Sequence, residues 1–341
     1  MQKYAYWIGF GLSLLFLGFF LRKIDLVGVW KAFLSVDYLY TLPFIVIHLA
    51  SIWIRAKRWR FLLAPIKSIK MAPLFHATAI GFMANNILPA RIGEFIRAYV
   101  LGSREKISKT ASFATIVVER LFDGFAILFI FLLVILMMPF PVGRTSIISP
   151  AYFRMAGFFS FLIYVGCLGI FLGLRFHNEK ANRLIGFFLK FLPKGFTEKV
   201  LKKIESFVSG LEILQRAQDI VVVTAYSLGL WVIIGGSYYF IFLAFHFDLS
   251  IMAAFFLLIV LVFGVAVPSA PGYIGTFHWA CAAAMIFLGI EDNLAKSFAL
   301  LVWFVNFVPI IVLGLLSLWI EGMSWRQLKK TDPEKGLLEE R

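Results

Sequence analysis

Six ionisable residues sit where an apolar chain should not carry them. Arg91, Glu94 and Arg97 follow one another at steps of three, just after Pro89. Glu119, Arg120 and Asp123 lie inside the long apolar run over 110–139. On a helix, Glu119 and Asp123 share a face at i,i+4, and Arg120 reaches Asp123 at i,i+3. Charged side chains are costly at membrane depth, and where they persist they mark polar pathways. Three arginines against three acids form a neutral set. One reading is an ion-pair network that holds two helices together. The other is a polar cavity in which Arg91, Arg97 or Arg120 receives an anionic group. Guanidinium suits that role, because it pairs with phosphate through two N–H groups and stays charged. Asn85 and Asn86, just before the break at Pro89, add hydrogen-bonding groups. A helix restarting near Arg91 adds its N-terminal dipole and free N–H groups. Glu94 or Asp123 would carry the proton if the process is coupled to one.

The segment that presents the first three residues occurs twice. Pro89-Ala-Arg-Ile-Gly93-Glu-Phe95 has a counterpart 182 residues on, Pro271-Gly272-Tyr-Ile-Gly275-Thr-Phe277. The match continues downstream as Ser112-Phe-Ala114 and Ser297-Phe-Ala299. Proline and glycine break helices, so Pro89, Gly93, Pro271, Gly272 and Gly275 predict two interrupted segments. In the second copy Tyr273 stands for Arg91 and Thr276 for Glu94, while Phe304 and Val305 stand for Glu119 and Arg120. That half therefore offers hydroxyls, glycine backbone and apolar surface. A charged side facing an apolar, hydroxyl-bearing side suits an amphiphile; a bare helix-breaking loop is the alternative for the second copy.

Composition sets the class. The chain is 61% hydrophobic and 15% charged, with a mean hydropathy of +0.89. Soluble domains carry about 25% charged residues. Several apolar runs of roughly 18 residues or more are long enough to cross hydrocarbon. The chain is predicted to be an all-α polytopic integral membrane protein. The net charge of +14 sits in loops beside these runs, as expected for cytoplasmic loops, and does not call for nucleic acid. Cys167 and Cys281 lie in apolar segments, and the five histidines (His48, His76, His177, His246 and His278) are scattered. No metal, cofactor or disulfide framework is expected from these spacings.

Six full crossings are predicted near 4–21, 37–54, 110–139, 152–174, 219–245 and 297–320. Segments 71–102 and 251–290 read as re-entrant hairpins, making eight elements if each hairpin counts once. Non-helical backbone is tolerated at membrane depth only where protein or a water-filled cavity covers it. Arg55, Lys57, Arg58 and Arg60 end the second crossing and read as headgroup anchors that snorkel. Connector 175–217 carries nine Lys/Arg and the tail after Ile320 carries five, whereas 140–151 has only Arg144. This asymmetry places both termini in the cytoplasm. The first hairpin then opens from inside and the second from outside, an inverted-topology repeat. Residues 1–322 form one membrane domain, with repeat one at 4–139 and repeat two at 152–320. An amphipathic helix is expected in the connector, from Val200, Ile204, Phe207, Val208, Leu211 and Leu214. Residues 323–341 form a polar cytoplasmic tail.

The stretch Asn86-Ile-Leu-Pro89-Ala-Arg91-Ile-Gly93-Glu94, then Val118-Glu119-Arg120-Leu-Phe-Asp123, resembles the flippase-like family that includes the membrane domain of lysylphosphatidylglycerol synthases. So does Pro268-Ser-Ala-Pro271-Gly-Tyr-Ile-Gly275-Thr-Phe277. The resemblance covers about residues 5–322. It implies movement of a polar-headgroup lipid between leaflets, with Arg91, Glu94, Glu119, Arg120 and Asp123 at the family's polar positions. It also implies a stand-alone member, since nothing in 323–341 matches the aminoacyl-transfer domain of the synthases.

The expected function is a lipid flippase in a bacterial or archaeal cytoplasmic membrane, with a membrane lipid as its partner and no catalysis. A membrane-embedded lipid transferase and a secondary transporter of a soluble anion are the alternatives. The expected substrate site is Asn85, Asn86, Arg91, Glu94, Arg97, Glu119, Arg120, Asp123, Tyr273 and Thr276.

Overall fold

Breaks in the apolar pattern mark where helices end. A computed structural model describes residues 2–22, 25–88, 92–138, scattered positions between 155 and 169, 217–267 and 269–323. Leaving aside the scattered positions, the described residues form ten α-helices and two short 3-10 turns, and no strand. They are α1 (Gln2–Leu21), α2 (Leu26–Leu34), α3 (Thr41–Leu63), α4 (Met71–Ile87), α5 (Gly93–Glu105) and α6 (Lys109–Met137), then α7 (Ala217–Ala244), α8 (Ile251–Ala266), α9 (Thr276–Phe287) and α10 (Asp292–Ile320). Four helical stretches among the described residues are long and apolar enough to cross a membrane: Tyr38–Leu63, Lys109–Met137, Gln218–Ala244 and Asp292–Ile320.

Both expected interruptions are present. Each splits its segment into two short helices, α4 with α5 and α8 with α9. These have 17, 13, 16 and 12 residues. At 1.5 Å per residue they span roughly 18 to 26 Å, less than a hydrocarbon core of about 30 Å. Pro89, Arg91 and Pro268 lie outside the described residues, as do most of the crossing expected over 152–174, the connector through 216, and 324–341.

One expectation about a boundary was wrong, and it matters for the site. The second crossing does not end near residue 54. It continues as α3 to Leu63. Its buried residues recur at helical spacing through His48, Ser51, Ile52, Arg55, Arg58, Trp59 and Leu62. Arg55 and Arg58 therefore point into the protein, with 4% and 0% exposure. They do not snorkel to headgroups, because carboxylates on α6 receive them. Arg60, on the other side of the same turn, is exposed. The short helix α2 was also not foreseen; Asp25 caps it by accepting the Val27 N–H.

Packing pairs recur between the two halves. In the first, α3 packs on α4, α4 on α5 and α5 on α6. In the second, α7 packs on α8, α8 on α9 and α9 on α10. Across the halves α3 meets α7, α4 meets α10, α8 meets α6, α3 meets α10 and α7 meets α6. Exchanging α3–α6 with α7–α10 maps these contacts onto one another. The first half also packs α3 directly on α6, the interface that carries the Arg58–Asp123 and Arg55–Asp123 pairs.

Candidate functional site

α6 buries the face that carries Ser112, Thr115, Glu119, Phe122, Asp123 and Ala126. Burial of that face takes two carboxylates into the interior, where each needs a partner. Arg97 of α5, 1% exposed, meets Glu119 through two bonds of 2.7 and 3.2 Å. Its guanidinium lies 3.8 Å from the centre of the Trp59 ring, a cation–π stack. Trp59 is itself fixed by donating Nε1–H to Thr115 Oγ1 at 2.7 Å.

Arg58 is the hub. Nη1 and Nη2 donate to Asp123 at 2.5 and 3.1 Å, and Nη1 also donates to Ser227 Oγ at 2.6 Å. Nη2 lies 3.5 Å from Glu119. Asp123 additionally accepts from Trp231 Nε1 at 3.1 Å and pairs with Arg120 at 3.3 Å and Arg55 at 3.6 Å. The outer edge is Arg120, whose side chain is 34% exposed; it approaches Glu94, 33% exposed, at 3.7 Å and Glu119 at 3.8 Å. The network thus grades from a half-open Glu94–Arg120 mouth to a sealed centre, held by α3, α5, α6 and α7.

Four of the acids and arginines expected at the site meet directly: Arg97 with Glu119, and Arg120 with Asp123. Glu94 joins them through Arg120. Arg91 lies outside the described residues. Asn85 and Asn86 are at the end of α4, and the Asn85 carboxamide oxygen accepts the Gly93 N–H at 2.8 Å, which starts α5. Gly93 is required there: a Cβ would sit 2.0 Å from the Gly81 carbonyl oxygen. Sequence reasoning missed Arg55, Arg58, Ser227, Trp59 and Trp231. The signal for the two arginines was present, because they keep the i,i+3 and i,i+4 rhythm of the buried face of α3 while Lys57 and Arg60 leave it.

The second break is built from local bonds. Trp303 Nε1 donates to the Gly272 carbonyl at 2.7 Å, and Ser13 Oγ of α1 accepts the Ala270 N–H at 2.6 Å. The Thr276 hydroxyl, 2% exposed as a residue, donates to the Tyr273 carbonyl at 3.2 Å. Tyr273 packs its ring 5.6 Å from that of Phe307. Gly275, at φ +92°, adopts a backbone that side chains disfavour, and a Cβ there would lie 2.2 Å from the Ser13 carbonyl oxygen. The 3-10 turn Pro271–Tyr273 packs against α4. A Cβ added to Gly272 would meet the Asn86 carbonyl oxygen at 3.8 Å. The second break therefore packs against the end of α4, just before the first motif, although the two motifs are 182 residues apart in the chain.

Helices of this length and apolarity, wrapped around a buried polar centre, define an integral membrane protein. The model for the lysylphosphatidylglycerol synthase transmembrane region matches residues 6–314, and the chain belongs to that family. A UPF0104 membrane protein of Methanocaldococcus jannaschii is 23% identical over 329 residues, covering 91% of this chain and 93% of the relative. A second UPF0104 membrane protein, of Methanothermobacter thermautotrophicus, is 22% identical and covers 84% and 87%. Glycosyltransferase AglD of Haloferax volcanii is 28% identical over 186 residues, 49% of this chain and 29% of that protein. No solved structure matches the chain.

Proposed function

We propose that this protein translocates a lipid with a polar, phosphate-bearing headgroup between leaflets of a bacterial or archaeal cytoplasmic membrane. The headgroup passes the arginine–carboxylate network while the chains stay in lipid. The observation that carries this reading is the graded network itself: a half-exposed Glu94–Arg120 pair continuous with buried charges on α3, α5 and α6. Ionisable groups at such depth mark substrate pathways. The short paired helices support re-entrant hairpins, and the exchange of packing contacts between halves supports an inverted-topology repeat. In such repeats the site lies at the interface of the halves, and alternating access comes from one moving on the other. The loop charges support a cytoplasmic location for both termini.

The AglD match favours a second reading, a lipid transferase, in which Glu94, Glu119 or Asp123 acts as a base. The match covers only 29% of that glycosyltransferase. Glu119 and Asp123 each have both oxygens engaged by arginine, which leaves neither open to a substrate hydroxyl. Only Glu94 remains open enough. The enzyme reading is therefore the weaker.

Native mass spectrometry of lipids that co-purify with wild type and with Arg120→Ala tests the proposal. One phosphate-bearing lipid class, unmodified in mass and depleted in the variant, supports it. Equal bulk lipids in both samples contradict it.

A further inference from the structure

Arg55 stands in the network without an acid of its own. Among the described residues, four arginines (Arg55, Arg58, Arg97 and Arg120) face three carboxylates (Glu94, Glu119 and Asp123). Arg97 takes Glu119 and Arg58 takes Asp123, each through two bonds. Arg120 bridges all three acids. Arg55 has a 3.6 Å approach to Asp123 Oδ2, whose Arg58 bond is shorter. Its Nε and Nη1 are buried and make no hydrogen bond. The rings of Phe82 and Trp231 lie 4.8 and 5.3 Å from its Cζ. They attract the charge but supply no oxygen to the N–H groups. A buried guanidinium with idle donors is costly unless something completes it.

Position supplies the rest. Arg55 and Arg120 approach the same oxygen, Asp123 Oδ2, at 3.6 and 3.3 Å. Arg120 is partly open and Arg55 is sealed, on the two sides of that oxygen's shell of arginines. We propose that Arg55 is the receptor for one singly charged phosphate group, seated between Arg55 and Arg120. This rests on the reading of the network as a headgroup path, and it names the residue and the charge class. One negative charge brings the described network to balance. Guanidinium offers the matching donors, which an ammonium in its place does only in part.

The protein in neutral detergent is titrated with dihexanoyl phosphatidylglycerol, with inorganic phosphate and with dihexanoylglycerol, and Tm is followed. A ligand that binds only the folded state raises Tm with concentration. In wild type, Tm rises with the phosphatidylglycerol and not with the phosphate-free dihexanoylglycerol. Arg55→Met removes the unmatched charge and keeps an unbranched chain between the rings. It should have a Tm equal to or above that of wild type without ligand, and show no rise. Arg55→Lys shows a reduced rise. A rise with the phosphatidylglycerol alone assigns the anion to a lipid headgroup, and an equal rise with inorganic phosphate assigns it to free phosphate. Either supports Arg55 as receptor. An Arg55→Met protein that fails to fold, that loses stability without ligand, or that responds like wild type overturns the proposal. So does a wild type that responds to neither phosphate compound. Loss of lipid movement with an intact, Arg55-dependent Tm response would instead overturn only the translocator reading.

Discussion

Arg58 and Asp123, 65 residues apart in the chain, form a two-bond ion pair at 2.5 and 3.1 Å in the buried centre of the helix assembly. The pair joins α3 to α6, and Ser227 and Trp231 extend it to α7. It couples the first half of the chain to the second through one carboxylate. The arrangement is polar and buried, so its members affect stability as well as any passage of charge.

Arg58→Met leaves Asp123 without its main partner. Breaking one side of a buried pair costs about 3–5 kcal/mol. Thermal unfolding in detergent should show a clear fall in Tm. Arg60→Met, exposed on the same helix, should change stability by no more than about 0.5 kcal/mol. Equal effects of the two substitutions would mean that Arg58 is a surface anchor after all.

The Arg97–Glu119 pair should behave as a unit. Arg97→Met alone and Glu119→Leu alone should each destabilise by about 3–5 kcal/mol. Replacing both with apolar residues should cost far less than the sum, because no charge is left buried alone. A double-mutant cycle checks this, with a coupling of about 1–3 kcal/mol expected. Additive losses would show that the two side chains act independently.

Gly93→Ala places a Cβ 2.0 Å from the Gly81 carbonyl oxygen and 2.6 Å from Asn85 Oδ1. The first is backbone and cannot move away alone, so α4 and α5 must separate. Overpacking of this kind costs about 1–3 kcal/mol. Ser103→Ala, exposed near the end of α5, is the control that should leave Tm unchanged.

Trp231→Phe keeps a ring beside Arg55 but removes the Nε1–H bond to Asp123. The loss should be about 1.5–3 kcal/mol, the value of a hydrogen bond to a charged group. A Tm equal to wild type would show that Asp123 is satisfied without Trp231.

Much of the arrangement is legible in the sequence. Pro and Gly in both repeats located the two breaks, because these residues interrupt helices wherever they occur. Glu119, Arg120 and Asp123 were legible as a group, because i,i+3 and i,i+4 spacing depends on the helix alone. Arg55 and Arg58 were misjudged for the opposite reason. Four basic residues after an apolar run look like headgroup anchors, and only the carboxylates of α6, far along the chain, turn two of them inward. Tyr273 and Thr276 were expected to line the site. Thr276 instead donates to the Tyr273 carbonyl, a local need of the broken backbone that sequence spacing does not reveal. Helix α2 was overlooked because its nine residues are too few to show a clear period.

The most direct test uses proteoliposomes that carry fluorescent nitrobenzoxadiazole-labelled phosphatidylglycerol, with dithionite added outside to bleach the outer leaflet. Wild-type protein should bring inner-leaflet label out to the quencher, beyond the bleaching seen in protein-free vesicles. Arg120→Ala, used only if its Tm shows a folded protein, should return bleaching to the protein-free level. Bleaching by wild type no greater than in protein-free vesicles, or undiminished in Arg120→Ala, would contradict the account.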